Sequence, residues 1–428
     1  MKLLLLLALA ALTLTAATYD VRKLGAKADG ISKDTVAFQT AIDAAAKQGG
    51  GTVLVPTGAY ISGTLFLKSN ITIHIEAGAK ILFSPDNADF AAYEPLTFKP
   101  VDDAETSYFR YALFTGENVE NITIEGSGTI DGNRQKRGGP KPIALKNSQH
   151  ITIRGITIRN APNYNISLLG CDYVNIDGVT ILNGFSDGID PDSCRFVRIA
   201  NCYIDSHDDA ICPKASRALG APRSTENLTV TNCITRTACN HFKFGTESAG
   251  GLRNVTVSNL VMLPRESDRA PISGISLESV DGGVVEGITI SNISMRGVRV
   301  PIFLRLGNRG RGMESPVAGK LENVTITNVT AMDAEVASSI TGLPGVPVRN
   351  VILDNIVVRS KGGGNLVTAE IPEHPAKYPE ALMFGELPAH SLFIRHAEGI
   401  TLGRWKGTVA TPDKRPAFVF LDIAGPQP

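Results

Sequence analysis

The sequence predicts an all-β fold: a right-handed parallel β-helix with a short N-terminal capping helix. Three observations carry this expectation. A run of alternating β-branched residues ending in Gly or Asn recurs along most of the chain. The corner residues Gly126, Gly155, Gly178, Asn201, Asn232, Asn259, Asn292, Asn328 and Asn355 are separated by 29, 23, 23, 31, 27, 33, 36 and 27 residues. A period in the twenties and thirties, with no helix between the runs, is the mark of a solenoid. The third is composition: 42 of 428 residues are Gly and only 6% are aromatic, which favours turns and strands over a helical bundle.

In chain order, residues 1–17 read as a secretory signal. Lys2 is the positive end, Leu3 to Leu12 the apolar core, and Thr15, Ala16 and Ala17 the small residues that follow. The apolar run is too short to span a bilayer. The expected address is secreted or periplasmic. Asp34 is placed to cap a helix bearing Phe38, Ile42 and Ala45 on one face. Gly49-Gly50-Gly51 stops it. Strand-like runs follow at Thr52 to Val55, Gly63 to Leu67 and Ile71 to Glu76, the last with strict period-two alternation.

The repeated runs include Ile122-Thr123-Ile124-Glu125-Gly126, Val174-Asn175-Ile176-Asp177-Gly178 and Val324-Thr325-Ile326-Thr327-Asn328. Gly and Asn tolerate a left-handed backbone at a tight corner. Asn can also stack on Asn in the next coil and share amide hydrogen bonds. Successive coils are expected about 4.8 Å apart. Many of the runs contain Asn-x-Thr or Asn-x-Ser, as at Asn121 and Asn323. These fit glycosylation acceptors and corner residues alike, and the corner reading is preferred.

All six cysteines fall between Cys171 and Cys239. Cys202 and Cys233 each follow a corner Asn, so they are expected to stack as interior residues. An exported protein permits disulfides, and Cys212 with Cys239 is a candidate pair. Basic and acidic residues balance at 42 each. Bulk charge therefore points to no nucleic-acid or anionic-membrane partner. No nucleotide loop, zinc spacing or nucleophilic serine motif is found, and no cofactor or metal is expected.

The candidate site lies between Gly184 and Gly245. Asp187 and the pair Asp208-Asp209 are about one period apart, so they should fall on neighbouring rungs of one sheet. Carboxylates that close repel each other, which raises at least one pKa. A raised carboxyl beside an ionised one is the arrangement of a general acid and its partner. His241 belongs to the next coil and is expected on the same face, with Lys243 and Glu247 flanking it.

These motifs resemble glycoside hydrolase family 28, the polygalacturonase-like, pectin-degrading enzymes. The likeness runs from Ala26-Lys27-Ala28-Asp29-Gly30 through all the coils. The family's Asn-Thr-Asp appears as Phe185-Ser186-Asp187, its Asp-Asp as Asp208-Asp209, and its Gly-His-Gly as Asn240-His241-Phe242. The resemblance implies a single catalytic β-helix domain over residues 18–428 that inverts the anomeric centre of a pectic or related polysaccharide and works as a monomer. It implies that Asp208 protonates the leaving oxygen while Asp187 and Asp209 activate water. The family's Arg-Ile-Lys should fall near Gly274 to Glu278, where Ser276 and Glu278 stand instead. Glu278 in that subsite is expected to disfavour a sugar carboxylate, leaving Arg305, Arg309 or Arg311 to meet one. Two other functions stay open at this point: a polysaccharide lyase, disfavoured because no Arg or Lys lies in the acidic motifs, and a non-catalytic carbohydrate-binding solenoid.

Overall fold

A computed structural model describes residues 17–266 and 268–425. The expected signal segment therefore lies, except for Ala17, outside the described residues. The chain winds as a parallel β-helix with three faces. The first carries the expected runs, among them Ile71–Ile75, Glu120–Gly126, Gln149–Arg154, Asp172–Asp177, Arg195–Ala200 and Thr225–Thr231. The second follows each corner, with Thr129–Asp131, Thr157–Arg159, Thr180–Gly184, Tyr203–Ser206 and Ile234–Thr237. The third pairs Leu65–Phe66, Ala112–Glu117, Lys141–Lys146, Ile166–Leu169 and Ile189–Asp192 in that order. It continues through Ile211 to Asn240–Lys243, Ser273–Ser279 and Val300–Leu306.

Register is strict because a slip of one residue would turn every apolar side chain outward. Ile73, Ile124, Ile153, Ile176, Ile199, Val230, Val257, Ile290, Ile326 and Leu353 form one column through the first face. All ten are buried. Each such side chain is worth about 1.5–3 kcal/mol on leaving water. The residues between them, such as Thr123 and Thr152, point outward and are only half-buried. The main core cluster extends from Val21 to Ile400, with a smaller one under residues 363–391.

All nine expected corner residues have positive φ, from 54° at Asn232 to 117° at Gly126. The asparagines also form the expected ladder. Each Nδ2 donates to the Oδ1 one rung back, from Asn232 to Asn201 (3.4 Å) through Asn259, Asn292 and Asn328 to Asn355 on Asn328 (2.8 Å). In the later coils the corner no longer interrupts the strand. Asn259, Asn292, Asn328 and Asn355 lie inside continuous strands Leu252–Pro264, Val284–Arg296, Lys320–Ala334 and Val348–Gly362. At the opposite end of the first face, His150, Tyr173 and Phe196 also have positive φ. Their rings stack with centroids 4.9 Å apart, where neighbouring coils carry Asn.

Three local expectations change. The helix runs Thr35–Lys47, and its buried face includes Phe38, Ile42 and Ala45. Asp34 precedes it, but the carboxylate makes no bond to the helix. It accepts instead from the Lys27 and Ala28 N–H groups, at 2.6 and 3.3 Å, tying down the preceding loop. The run expected at Gly63 to Leu67 keeps only Leu65–Phe66 as strand, because Gly58–Ser62 takes the second face. All six cysteines are buried free thiols, so Cys212 and Cys239 are not bridged. Cys212 donates to the Gly245 carbonyl at 2.8 Å, and Cys239 accepts from Asn240 Nδ2 at 3.3 Å.

Asn292→Ala is expected to cost about 1–2 kcal/mol, because alanine meets the left-handed penalty at φ 57° and breaks two ladder bonds. Asn292→Gly should recover the backbone part. Urea unfolding of the two variants checks this. Equal losses would remove φ as the source.

Candidate active site

The site is built by stacking two rungs of the third face. Ile189 pairs with Ile211, and Ile211 with Phe242, all in parallel. The Gly188 N–H donates to the Asp209 carbonyl at 2.8 Å. Asp187 and Asp209 are therefore register partners, with Asp208 one residue before. They line one cleft with Glu105, Arg137, Tyr164, Lys214, Glu247 and Tyr378, among others. Larger surface hollows exist elsewhere, as between Ser69 and Asp172. None of those combines this many facing charges, so the cleft is the chemical candidate.

Each carboxylate has its own cation. Lys214 Nζ lies 2.8 Å from Asp187 Oδ2 and also bonds Asp190, with all three side chains buried. The amine sits over the Tyr164 ring, 4.2 Å from its centre. Burial works against the charge on Lys214, but Asp187 and Asp190 outweigh it and hold the amine protonated. Burial also pushes the Asp187 carboxyl well above the usual range, and Lys214 offsets only part of that. Asp190 moves the same way for the same reason.

Asp208 differs. Its side chain is 27% exposed and bonds Nη1 of Arg137. Burial pushes this carboxyl up, but Arg137 overcomes it and holds Asp208 below the usual carboxylate range. Nε and Nη2 of the same guanidinium fork onto Glu105. Asp209 is fixed on both oxygens. Asn240 donates its N–H and Nδ2 to Oδ1 at 3.1 and 2.7 Å, and Lys243 Nζ is 3.2 Å from Oδ2.

Of the remaining expected residues, Lys243 and Glu247 reach the site. Lys243 Nζ is 3.5 Å from the Tyr378 hydroxyl. Glu247 accepts from Arg311 at 2.8 Å. Three others do not face the cleft. His241 is fully buried, with Nδ1 2.8 Å from Thr235 Oγ1 and Nε2 without a partner. Thr235 is itself a buried rung residue, and reaching it turns the imidazole inward. Burial drives the His241 pKa down to about 3, so the ring is neutral. Arg305 and Glu278 are register partners on a stretch roofed by residues 363–391. Arg305 is 1% exposed and donates to Thr341 Oγ1 and to the carbonyls of Gly342, Glu373 and His374. It anchors the roof. Glu278 is fully buried, accepts from Ser276 Oγ at 2.7 Å and has its other oxygen unpaired. Burial lifts its pKa to about 8. It presents no negative charge to the cleft at neutral pH, and the repulsion expected from it is removed.

Sequence reasoning missed Asp190, Lys214, Arg137, Glu105 and Tyr378. Lys214 carried a signal: it stands 22 residues after Asp192, one coil length, and a lysine on an apolar rung needs an acidic partner. Asp192 and Lys214 are backbone bridge partners, and the amine takes Asp187 and Asp190 as its acidic partners. Arg137, Glu105 and Tyr378 lie on connections of irregular length, where period predicts nothing. The acidic motifs lack a cation in sequence, and the fold brings three to them.

Residues 47–376 match Glycosyl hydrolases family 28. A probable polygalacturonase of Vitis vinifera is 27% identical over 78% of this chain and 72% of its own length. An exopolygalacturonase of Platanus acerifolia is 25% identical over 82% of this chain and 92% of its own. Among solved structures, an exopolygalacturonase of Thermotoga maritima superimposes with a TM-score of 0.72 at 21% identity, covering 92% of each chain. That last likeness bears on the fold.

Glu278→Gln provides a check on the buried carboxyl. Unfolded, Glu278 ionises near pH 4.3; folded, it holds its proton to about pH 8. The folded state thus binds more protons in that window, and stability falls as pH rises through it. The variant should match the wild type at pH 4 and be more stable by about 1–3 kcal/mol at pH 7.5. Thermal melts across that range measure it, and a constant difference would contradict the assignment.

Proposed function

This chain belongs to glycosyl hydrolases family 28 and is a polygalacturonase-like glycosidase, and we propose that it hydrolyses a pectic polysaccharide with inversion, using Asp187, Asp208 and Asp209. One observation carries this reading. Three carboxylates stand on two adjacent rungs, and each is held by a different basic residue: Lys214, Arg137 and Lys243. Residues 1–17 would direct export, and residues 18–428 would form the catalytic domain.

Protonated Asp208, the most exposed of the three, donates its proton to the glycosidic oxygen. The bond from C1 to that oxygen breaks, and the leaving sugar departs as an alcohol. Water attacks C1 from the opposite side and gives its proton to Asp187 or Asp209. One water is consumed, and the enzyme ends with its proton moved from Asp208 to the base. A carboxylate lifted by burial, as Asp187 is, is a stronger base than one in water. Lys214 fixes its position. Asn240 and Lys243 fix Asp209 in the same way, so neither carboxylate must reorganise when charge develops at C1.

The anomer first formed, followed by proton NMR during turnover of an oligogalacturonide, should be inverted, as expected for acid and base carboxyls about 6.5–9.5 Å apart with water between. Asp208→Asn should reduce kcat by about 10²–10⁴-fold, with an unchanged melting temperature because the side chain is partly exposed. A retained configuration would overturn the mechanism, and near-normal turnover of the variant would overturn the role of Asp208.

A further inference from the structure

We propose that Arg137 determines specificity by capping Asp208 in the free enzyme and being drawn off it by an anionic sugar, so that the acid is freed only when the substrate carries a carboxylate beside the scissile bond. This rests on the reading of Asp208 as the acid. The cap itself is geometric: Nη1 of Arg137 occupies a carboxylate oxygen that must otherwise carry the proton for the leaving group.

Among the described residues of the cleft and its walls, the other cations are less exposed. The side chains of Lys214, Lys243, Arg309 and Arg311 are 4, 3, 11 and 23% exposed, each paired with a buried carboxylate. The Arg137 side chain is 45% exposed. It sits between Thr129–Asp131 and Lys141–Lys146, on a connection that includes Gly138 at φ 103° with open space around it. Its two anchors are unequal. Glu105 takes Nε and Nη2 in a fork, and Asp208 takes only Nη1. The guanidinium can therefore leave Asp208 while the fork to Glu105 persists. Arg305 is sealed under the roof, and Ser276 and Glu278 offer no positive charge, which leaves Arg137 as the most exposed partner for a uronate.

A sugar carboxylate replaces Asp208 on Nη1 like for like, and Asp208 then takes a proton from solvent. A methyl ester or neutral sugar cannot make that exchange. The other groups facing Asp208 decide whether it keeps that proton. Lys243 favours its charge. Asp187 and Glu380 are each in electrostatic contact with it and oppose its charge, and Asp209 adjoins it in sequence. Cys239, held as a thiol by burial, also favours the charge on Asp208 by hydrogen bonding. Once Arg137 withdraws, the largest influence favouring the Asp208 charge is gone, while burial, Asp187 and Glu380 still oppose it, so the carboxyl is free to take up a proton.

The test compares pH profiles of kcat and kcat/KM for the full-length enzyme and Arg137→Ala on oligogalacturonides of one length, as free acid and as methyl ester. The wild type should favour the free acid, with kcat/KM falling at a lower pH than kcat. In Arg137→Ala the falling limb of kcat/KM should move up by about one pH unit or more, the size of effect an adjacent arginine has on an aspartate. The acid-to-ester ratio should drop at least about tenfold, the effect of losing one charge-assisted contact. Arg137→Lys, which keeps charge without the fork, should leave the limb near its wild-type position. A limb that stays put overturns the capping role. If the ratio falls without it, Arg137 is a plain carboxylate ligand; if both substrates slow alike, the side chain is structural. Asp208→Asn, assayed beside them, separates the two readings: its retained turnover would remove the acid assignment, whereas a dead Asp208→Asn with an unmoved limb in Arg137→Ala would remove only the cap.

Discussion

Parallel backbone pairing at fixed register is the constraint on which the rest of this molecule depends. Each coil must present its N–H and C=O groups to the coil before and the coil after, and every unpaired buried group is costly. The chain must therefore turn at nearly the same place in each coil. Left-handed Gly and Asn at the corners satisfy that demand, and the Asn amides convert the repeated conformation into a bonded column. The interior column from Ile73 to Leu353 follows from the same register. So does the site, because Asp187 and Asp209 face together only while Ile189 and Ile211 stay paired.

The electrostatics of the site follow from how deep each carboxylate lies. Asp187 and Asp190 are fully enclosed and share one lysine. Breaking such a buried set by removing one partner leaves uncompensated charge and is strongly destabilising. Asp208 lies nearer the solvent and is held by an arginine that also reaches water. The same chemical group is thus a fixed part of the scaffold on one rung and an adjustable one on the next. The two carboxyls also move in opposite directions in the free enzyme, Asp187 raised and Asp208 lowered, so Asp208 can serve as the acid only once Arg137 no longer holds its charge.

Much of the fold was legible because it is periodic. The β-branched runs, the nine corners and the placement of Asp187 one rung from Asp209 all follow from counting. What counting missed sits where the period breaks. Arg137 and Glu105 come from connections on one side of the cleft, and Tyr378 and Glu380 come from residues 363–391. Orientation was harder than position. His241 was placed on the correct coil, yet Thr235 draws its ring inward. Glu278 and Arg305 were placed on the correct face, and the roof then buries both. A roof whose residues reach Arg305 from 68 and 69 positions downstream leaves no trace in the local alternation of a strand.

That roof has a consequence for the order in which the molecule is assembled. The rungs bearing Asp187 and Asp209 need only their immediate neighbours, so they can form while later coils are still unfolded. Tyr378, Glu380 and the apolar residues Ile371, Met383, Phe384 and Leu387 must then fold back across coils already in place. They pack against Cys239, Ile272, Val300 and Phe303, and Arg305 finds its acceptors only when they arrive. Until that moment the outer face of those coils is an uncovered apolar strip with an unpaired guanidinium at its centre. The cleft is thus completed by residues from the C-terminal side of the chain, which the pairing of its carboxylate rungs does not itself require.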